Sequence, residues 1–197
     1  MNLIDIRRNL AYRITDPIVG ILSKSGITPN ALTFINLALN IAAAYVIATG
    51  HFLLGGVLVL VSGLFDLFDG ALARFTKQTT KFGAILDSTV DRISEAAILC
   101  GLLIWYEPQE GASLKIVLIF VVLIGSFLVS YIRARAEGVG LQCQVGLFTR
   151  AERVIVLAIG LLINQIFIAL CILAVFVFIT VVQRLVYLWK QGKIRGD

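Results

Sequence analysis

Long apolar runs alternate along the chain with short polar interruptions, and the runs have the length of helices rather than strands. They predict helices over residues 30–49, 52–75, 83–106, 113–137, 150–163 and 166–190, the last two divided only by Asn164-Gln165. Several runs approach or exceed the roughly 20 residues that cross a bilayer core. The expectation is an all-α integral membrane protein with six transmembrane helices. A shorter segment, 2–14, sets Ile4, Ala11 and Ile14 on one side with Ile18 beyond, which predicts an N-terminal amphipathic helix lying along the membrane surface. Asp16-Pro17 and Thr28-Pro29 each put a capping side chain before a proline, a helix-start signature. No repeat, low-complexity tract or linker divides residues 1–197, and the N-terminus has no cleavable signal pattern, so a single membrane domain is expected.

Composition strengthens this reading. The chain is 59% hydrophobic and 15% charged, against about 25% charged in soluble domains. Every basic residue except Lys115 falls on one side of the six-span layout: before the first span, around the second-to-third and fourth-to-fifth connections, or at the C-terminal end. The positive-inside rule makes that side cytoplasmic, with both termini on it, in the cell membrane. The net charge of +5 therefore points to anionic lipid headgroups as partners and not to nucleic acid, for which no aromatic-basic motif is present. Cys100, Cys143 and Cys171 form neither a close pair nor a zinc spacing. The single histidine, His51, falls in a turn on the opposite side, which argues against zinc hydrolysis and Ser-His chemistry.

Charged groups inside spans are expensive, and this chain places Asp66 and Asp69 near the end of the second span and Asp87 and Asp91 near the start of the third. At about 100° per residue, Asp66 and Asp69 share one helix face, as do Gly83, Asp87 and Asp91. The two antiparallel helices are joined by a short loop, so the pairs can face each other. Four carboxylates call for hard divalent cations, and oxygen-only ligands favour magnesium, manganese or calcium over zinc. Two such ions suit the attacking and leaving oxygens of a phosphoryl transfer. Gly70, Ala73 and Gly83 leave room for a nucleotide beside the acids, and Arg74 offers a bidentate donor for a diphosphate. Two other readings stand beside this one: salt bridges of the acids to Arg74 and Arg92, or an ion or proton pathway.

Asp66, Asp69, Gly70, Ala73, Arg74, Gly83, Asp87 and Asp91 fill the pattern D-x2-D-G-x2-A-R-x8-G-x3-D-x3-D without a departure. In this the chain resembles the CDP-alcohol phosphatidyltransferase family, and the likeness extends to the six spans and the amphipathic N-terminal helix. The resemblance implies that Asp66, Asp69, Asp87 and Asp91 hold two magnesium ions, or manganese, and that Asp91 is also the general base. It implies that Gly70, Arg74 and Thr80 contact the CDP moiety of a CDP-diacylglycerol or CDP-archaeol, with Pro29, Asn30, Ala31 and Leu32 closing over it. It further implies a homodimer. No Cys, His or Ser is placed to form a covalent intermediate, so direct transfer is expected.

The acceptor is read from later segments. Residues 130–137 (SYIRARAE) and 146–153 resemble phosphatidylinositol-phosphate synthases and their archaeal counterparts, with Ala151 where a proline is expected. Arg184 interrupts the apolar run 176–188, and an arginine there needs an anionic partner. Arg133, Arg153 and Arg184, with Arg135 and Arg150, are the candidate acceptor-phosphate site; snorkelling to headgroups or pairing with Glu137 and Glu152 is the alternative. A phosphate pocket favours a phosphorylated alcohol, inositol 1-phosphate first and glycerol 3-phosphate second.

Overall fold

The computed structural model describes Gly20, residues 27–76 and residues 79–195, with side chains described as far as residue 192. The surface helix expected over 2–14 lies outside the described residues. Among the described residues six helices make the fold: α1 (Pro29–Ala48), α2 (Phe52–Phe75), α3 (Lys81–Tyr106), α4 (Ser113–Gly138), α5 (Arg150–Leu162) and α6 (Ile166–Arg195). Their starts follow from local chemistry. The Thr28 hydroxyl accepts from the Ala31 amide at 3.2 Å, with Pro29 in the first turn, where its missing N–H costs nothing. Thr80 caps α3 by accepting from the Gly83 amide at 2.9 Å. Thr149 and Glu152 form a reciprocal capping box at α5. Between α5 and α6, Asn164 turns the chain with a φ of 54°.

The principal helix contacts close a ring: α1 packs on α2 and α3, α2 on α5, α5 on α6, α6 on α4, and α4 on α3. Ile47, Val59, Leu99, Leu102, Leu161 and Leu170 fill its centre. The outer surface is apolar as well, with Leu53, Ile104, Val117 and Val175 all exposed. That distribution suits lipid on the outside, and α1, α2, α4 and α6 are long and apolar enough to cross a membrane. The chain is accordingly a multi-pass membrane protein. The remaining two helices differ for plain reasons. The N-terminal part of α3 carries Asp87, Asp91, Arg92 and Glu95. The 13 residues of α5 rise only about 20 Å, less than the roughly 30 Å hydrocarbon core.

Long-range pins fix the connection between α4 and α5. Arg184 of α6 donates from Nε to the Val145 carbonyl at 2.9 Å and from Nη1 to the Val129 carbonyl. The Leu147 and Phe148 amides donate to Gln183 at 3.1 Å and to Thr180 at 3.0 Å. Gly146 has a φ of 142°, and a Cβ there would meet Thr180 and Arg184, so only glycine fits.

A Cβ on Gly101 of α3 would run into the Ala44 backbone of α1. The Gly101→Ala variant should lose about 1–3 kcal/mol of stability in detergent thermal unfolding. Gly138→Ala, where the new methyl meets nothing within 4 Å, should leave the unfolding temperature unchanged.

Candidate functional site

The acids gather where the end of α2 faces the start of α3. Backed by α1, these two helices are not among the principal packing pairs, which leaves a gap between them for side chains. Asp66, Asp69 and Asp87 each offer a carboxylate oxygen, and the three atoms lie within 4.8 Å of one another. This all-oxygen set fits a hard divalent cation. Asp69 is buried and anchored at both oxygens: the Gly70 amide donates to Oδ1 at 2.5 Å, and the Thr33 hydroxyl donates to Oδ2 at 3.3 Å.

Asp91 stands beside this triad and is tied down differently. Nη1 of Arg150, the first residue of α5, lies 2.7 Å from Asp91 and 2.5 Å from Asp66, joining the two helices through one guanidinium. Arg92 is a looser neighbour of Asp91 at 3.8 Å. One turn further along α3, Glu95 receives both Nε and Nη2 of Arg153 at 2.7 and 2.8 Å. Arg153 is only 3% exposed, so removing either partner would strand a buried charge at a cost of roughly 3–5 kcal/mol.

The acids form part of the walls of two cavities. The first, about 190 Å³, is lined by Asp69 and Asp87 together with Pro29, Asn30, Gly70, Ala73, Arg74, Thr80 and Gly83. Seven of the nine residues expected at the CDP moiety thus surround one space. Ala31 and Leu32 stand apart from it: the Ala31 amide serves the Thr28 cap, and Leu32 is buried against Ala71 and Leu72. The second cavity, about 240 Å³, lies beside Asp66 and takes in Glu95, Arg150 and Arg153, with Leu60, Leu64 and Ile155 among its apolar walls.

The five expected acceptor arginines occupy distinct settings. Arg150 and Arg153 sit on the acids as described. Arg133 is exposed and pairs with Glu137 at 2.9 Å, and Arg135 is exposed. Arg184 is buried and binds backbone carbonyls, with Arg133 and Arg153 within its electrostatic range.

Sequence reasoning passed over Glu95, although it continues the four-residue series of Asp87 and Asp91. It also passed over a polar network beneath Asp66. Asn36 donates to Asp66 at 3.4 Å, Ser62 donates to Asn36 at 2.6 Å, and Asn40 donates to Ser62 at 2.5 Å. The signal was Thr33, Asn36 and Asn40, polar residues at helical spacing within an apolar run.

The chain is similar to known proteins over most of its length. The profile of the CDP-alcohol phosphatidyltransferase family matches residues 26–186. The chain is 35% identical to the phosphatidylinositol phosphate synthase of Mycobacteroides abscessus over 91% of its own length and 86% of that protein's. It is 39% identical to the archaetidylinositol phosphate synthase of Pyrococcus horikoshii over 83% of its own length and 84% of the other. The crystal structure of the Mycobacterium tuberculosis phosphatidylinositol phosphate synthase with CDP-DAG bound superposes with a TM-score of 0.81, at 36% identity over 90% of this chain and 94% of that one. The same enzyme in complex with manganese and citrate gives 0.82, at 35% identity over 89% and 88%. With Asp69 and Asp87 of its motif lining one cavity and the family profile covering most of its length, this chain is an enzyme of the CDP-alcohol phosphatidyltransferase family.

Proposed function

We propose that the enzyme transfers a phosphatidyl or archaetidyl group from a CDP-linked lipid to the hydroxyl of inositol 1-phosphate, giving the corresponding phosphatidylinositol phosphate and CMP. The observation that carries this is the meeting of Asp66, Asp69 and Asp87, of which Asp69 and Asp87 line the cavity that Gly70, Ala73, Arg74 and Gly83 also line. Likeness to phosphatidylinositol and archaetidylinositol phosphate synthases supports the choice of acceptor. In this reading the six helices all span the cell membrane, and the acids and both termini face the cytoplasm. The location of the basic residues and the ring that α3 and α5 complete with the four long helices support it. The homodimer implied by the family resemblance goes with it.

The four aspartates hold two divalent ions, magnesium or manganese, which when bound neutralise the diphosphate and the departing phosphate. Everything else is work for the chain. Arg74 donates to the diphosphate, Thr80, Pro29 and Asn30 enclose the cytidine, and the acyl chains lie between helices. Arg133, Arg153 and Arg184, with Arg135 and Arg150, attract the acceptor phosphate. Asp91 takes the proton of the acceptor hydroxyl. The acceptor's hydroxyl oxygen bonds to the lipid-side phosphorus, and the bond from that phosphorus to the bridging diphosphate oxygen breaks, releasing CMP.

Purified enzyme with magnesium, CDP-diacylglycerol or CDP-archaeol, and one acceptor at a time should release CMP with inositol 1-phosphate. Release with glycerol 3-phosphate alone would reject the acceptor, and ion flux in liposomes without CMP release from any alcohol would reject the transfer. Asp87→Asn should lower kcat at least a hundredfold and weaken manganese binding measured by electron paramagnetic resonance. Arg133→Gln, at an exposed position, should raise KM for inositol 1-phosphate about tenfold, a loss of roughly 1.4 kcal/mol, with KM for the CDP-lipid unchanged. An equal rise in both constants would remove Arg133 from the acceptor site.

A further inference from the structure

The four motif aspartates are not equivalent. Asp66, Asp69 and Asp87 each bring an oxygen within 4.8 Å of the others, whereas Asp91 is linked to Asp66 through Arg150. With Nη1 at 2.5 and 2.7 Å from the two carboxylates, the guanidinium fills the space that an ion shared by Asp66 and Asp91 must take. Ligand distances of about 2.0–2.6 Å for magnesium or calcium leave no room for both cations. A second observation shows that Arg150 is not fully satisfied where it lies: its Nε is buried and has no hydrogen-bond partner among the described residues. The cavity beside it, which Arg153 also lines, gives the side chain somewhere to turn.

We infer that Arg150 is a tethered competitor for one of the two metal positions. An ion on Asp66, Asp69 and Asp87 binds without moving it; an ion shared by Asp66 and Asp91 binds only as the guanidinium swings into the cavity beside Arg153. The inference rests on the metal-dependent reading above and adds an order to it, because filling the second position and releasing a positive charge toward the acceptor's cavity become one event. Arg150 is then a positioning residue that holds Asp66 and Asp91 in place until the exchange.

Full-length enzyme in detergent is titrated with Mn2+, with free ion followed by electron paramagnetic resonance. Wild type should fill two sites at least tenfold apart in affinity. In Arg150→Gln the weaker step should tighten at least tenfold while the stronger one stays fixed. Arg150→Lys, which keeps a charge but loses the planar fork, should fall between. A wild type that fills one site where Arg150→Gln fills two is the same result in extreme form. Wild type is also treated with phenylglyoxal and mapped by mass spectrometry, an arm that needs no variant to fold. Arg150 should stay protected at Mn2+ concentrations that fill the strong site and become reactive at those that fill the weak one. Two-step binding unmoved by either substitution, or Arg150 labelling independent of Mn2+, overturns the inference and leaves metal-dependent transfer standing. Absence of Mn2+ binding to wild type overturns both.

Discussion

A carboxylate withdrawn from water costs several kcal/mol unless its charge is shared, and this fold gathers Asp66, Asp69, Asp87, Asp91 and Glu95 at one end of a helix ring. The architecture around them distributes that cost. Arg153 neutralises Glu95 through two parallel hydrogen bonds, the geometry in which arginine binds carboxylate best. Arg150 serves two acids from two helices at once. Glu152, which lies between Arg150 and Arg153 in sequence and has the sign that would compete for these arginines, is engaged by the Thr149 amide at 2.9 Å. The capping box therefore does more than start α5; it keeps an acid away from the two arginines.

α1 plays the complementary part. The buried side chains of Thr33, Asn36 and Asn40 run down one face and meet Asp69, Asp66 and Ser62. Bonds of this kind within membranes average only about 0.6 kcal/mol, so their value here lies in direction. They fix the α2 carboxylates from behind, and α3 can stand off from α2 far enough to leave the space between them open. On the other side of the ring, Arg184, Gln183 and Thr180 secure the segment that leads into α5, so the position of Arg150 is set through contacts made more than thirty residues away in sequence.

Helix positions were legible where an apolar run ends at something with a mechanism, as at Thr28-Pro29 and Asn164-Gln165. The motif acids and the small residues beside them were legible because they recur at helical spacing on two neighbouring segments. Partners were harder to read. Arg184 was expected to seek an anion, and it binds the Val129 and Val145 carbonyls, which any sequence supplies and none advertises. Arg153 announced a positive charge, but its pairing with Glu95 depends on how α3 and α5 are rotated within the ring, a property of the assembled fold. The polar face of α1 was visible in principle and obscured by the apolar residues around it.

The shortness of α5 has a consequence for where chemistry meets solvent. Its first residue touches Asp66, nine residues before the end of α2, and Asp91, ten residues after the start of α3. At about 1.5 Å per residue, that floor lies roughly 14 Å below the rims of the neighbouring helices. On the proposed orientation, a lipid keeps its tails in the bilayer and its phosphate near native depth. The water-soluble alcohol is then the substrate that must cross that depth.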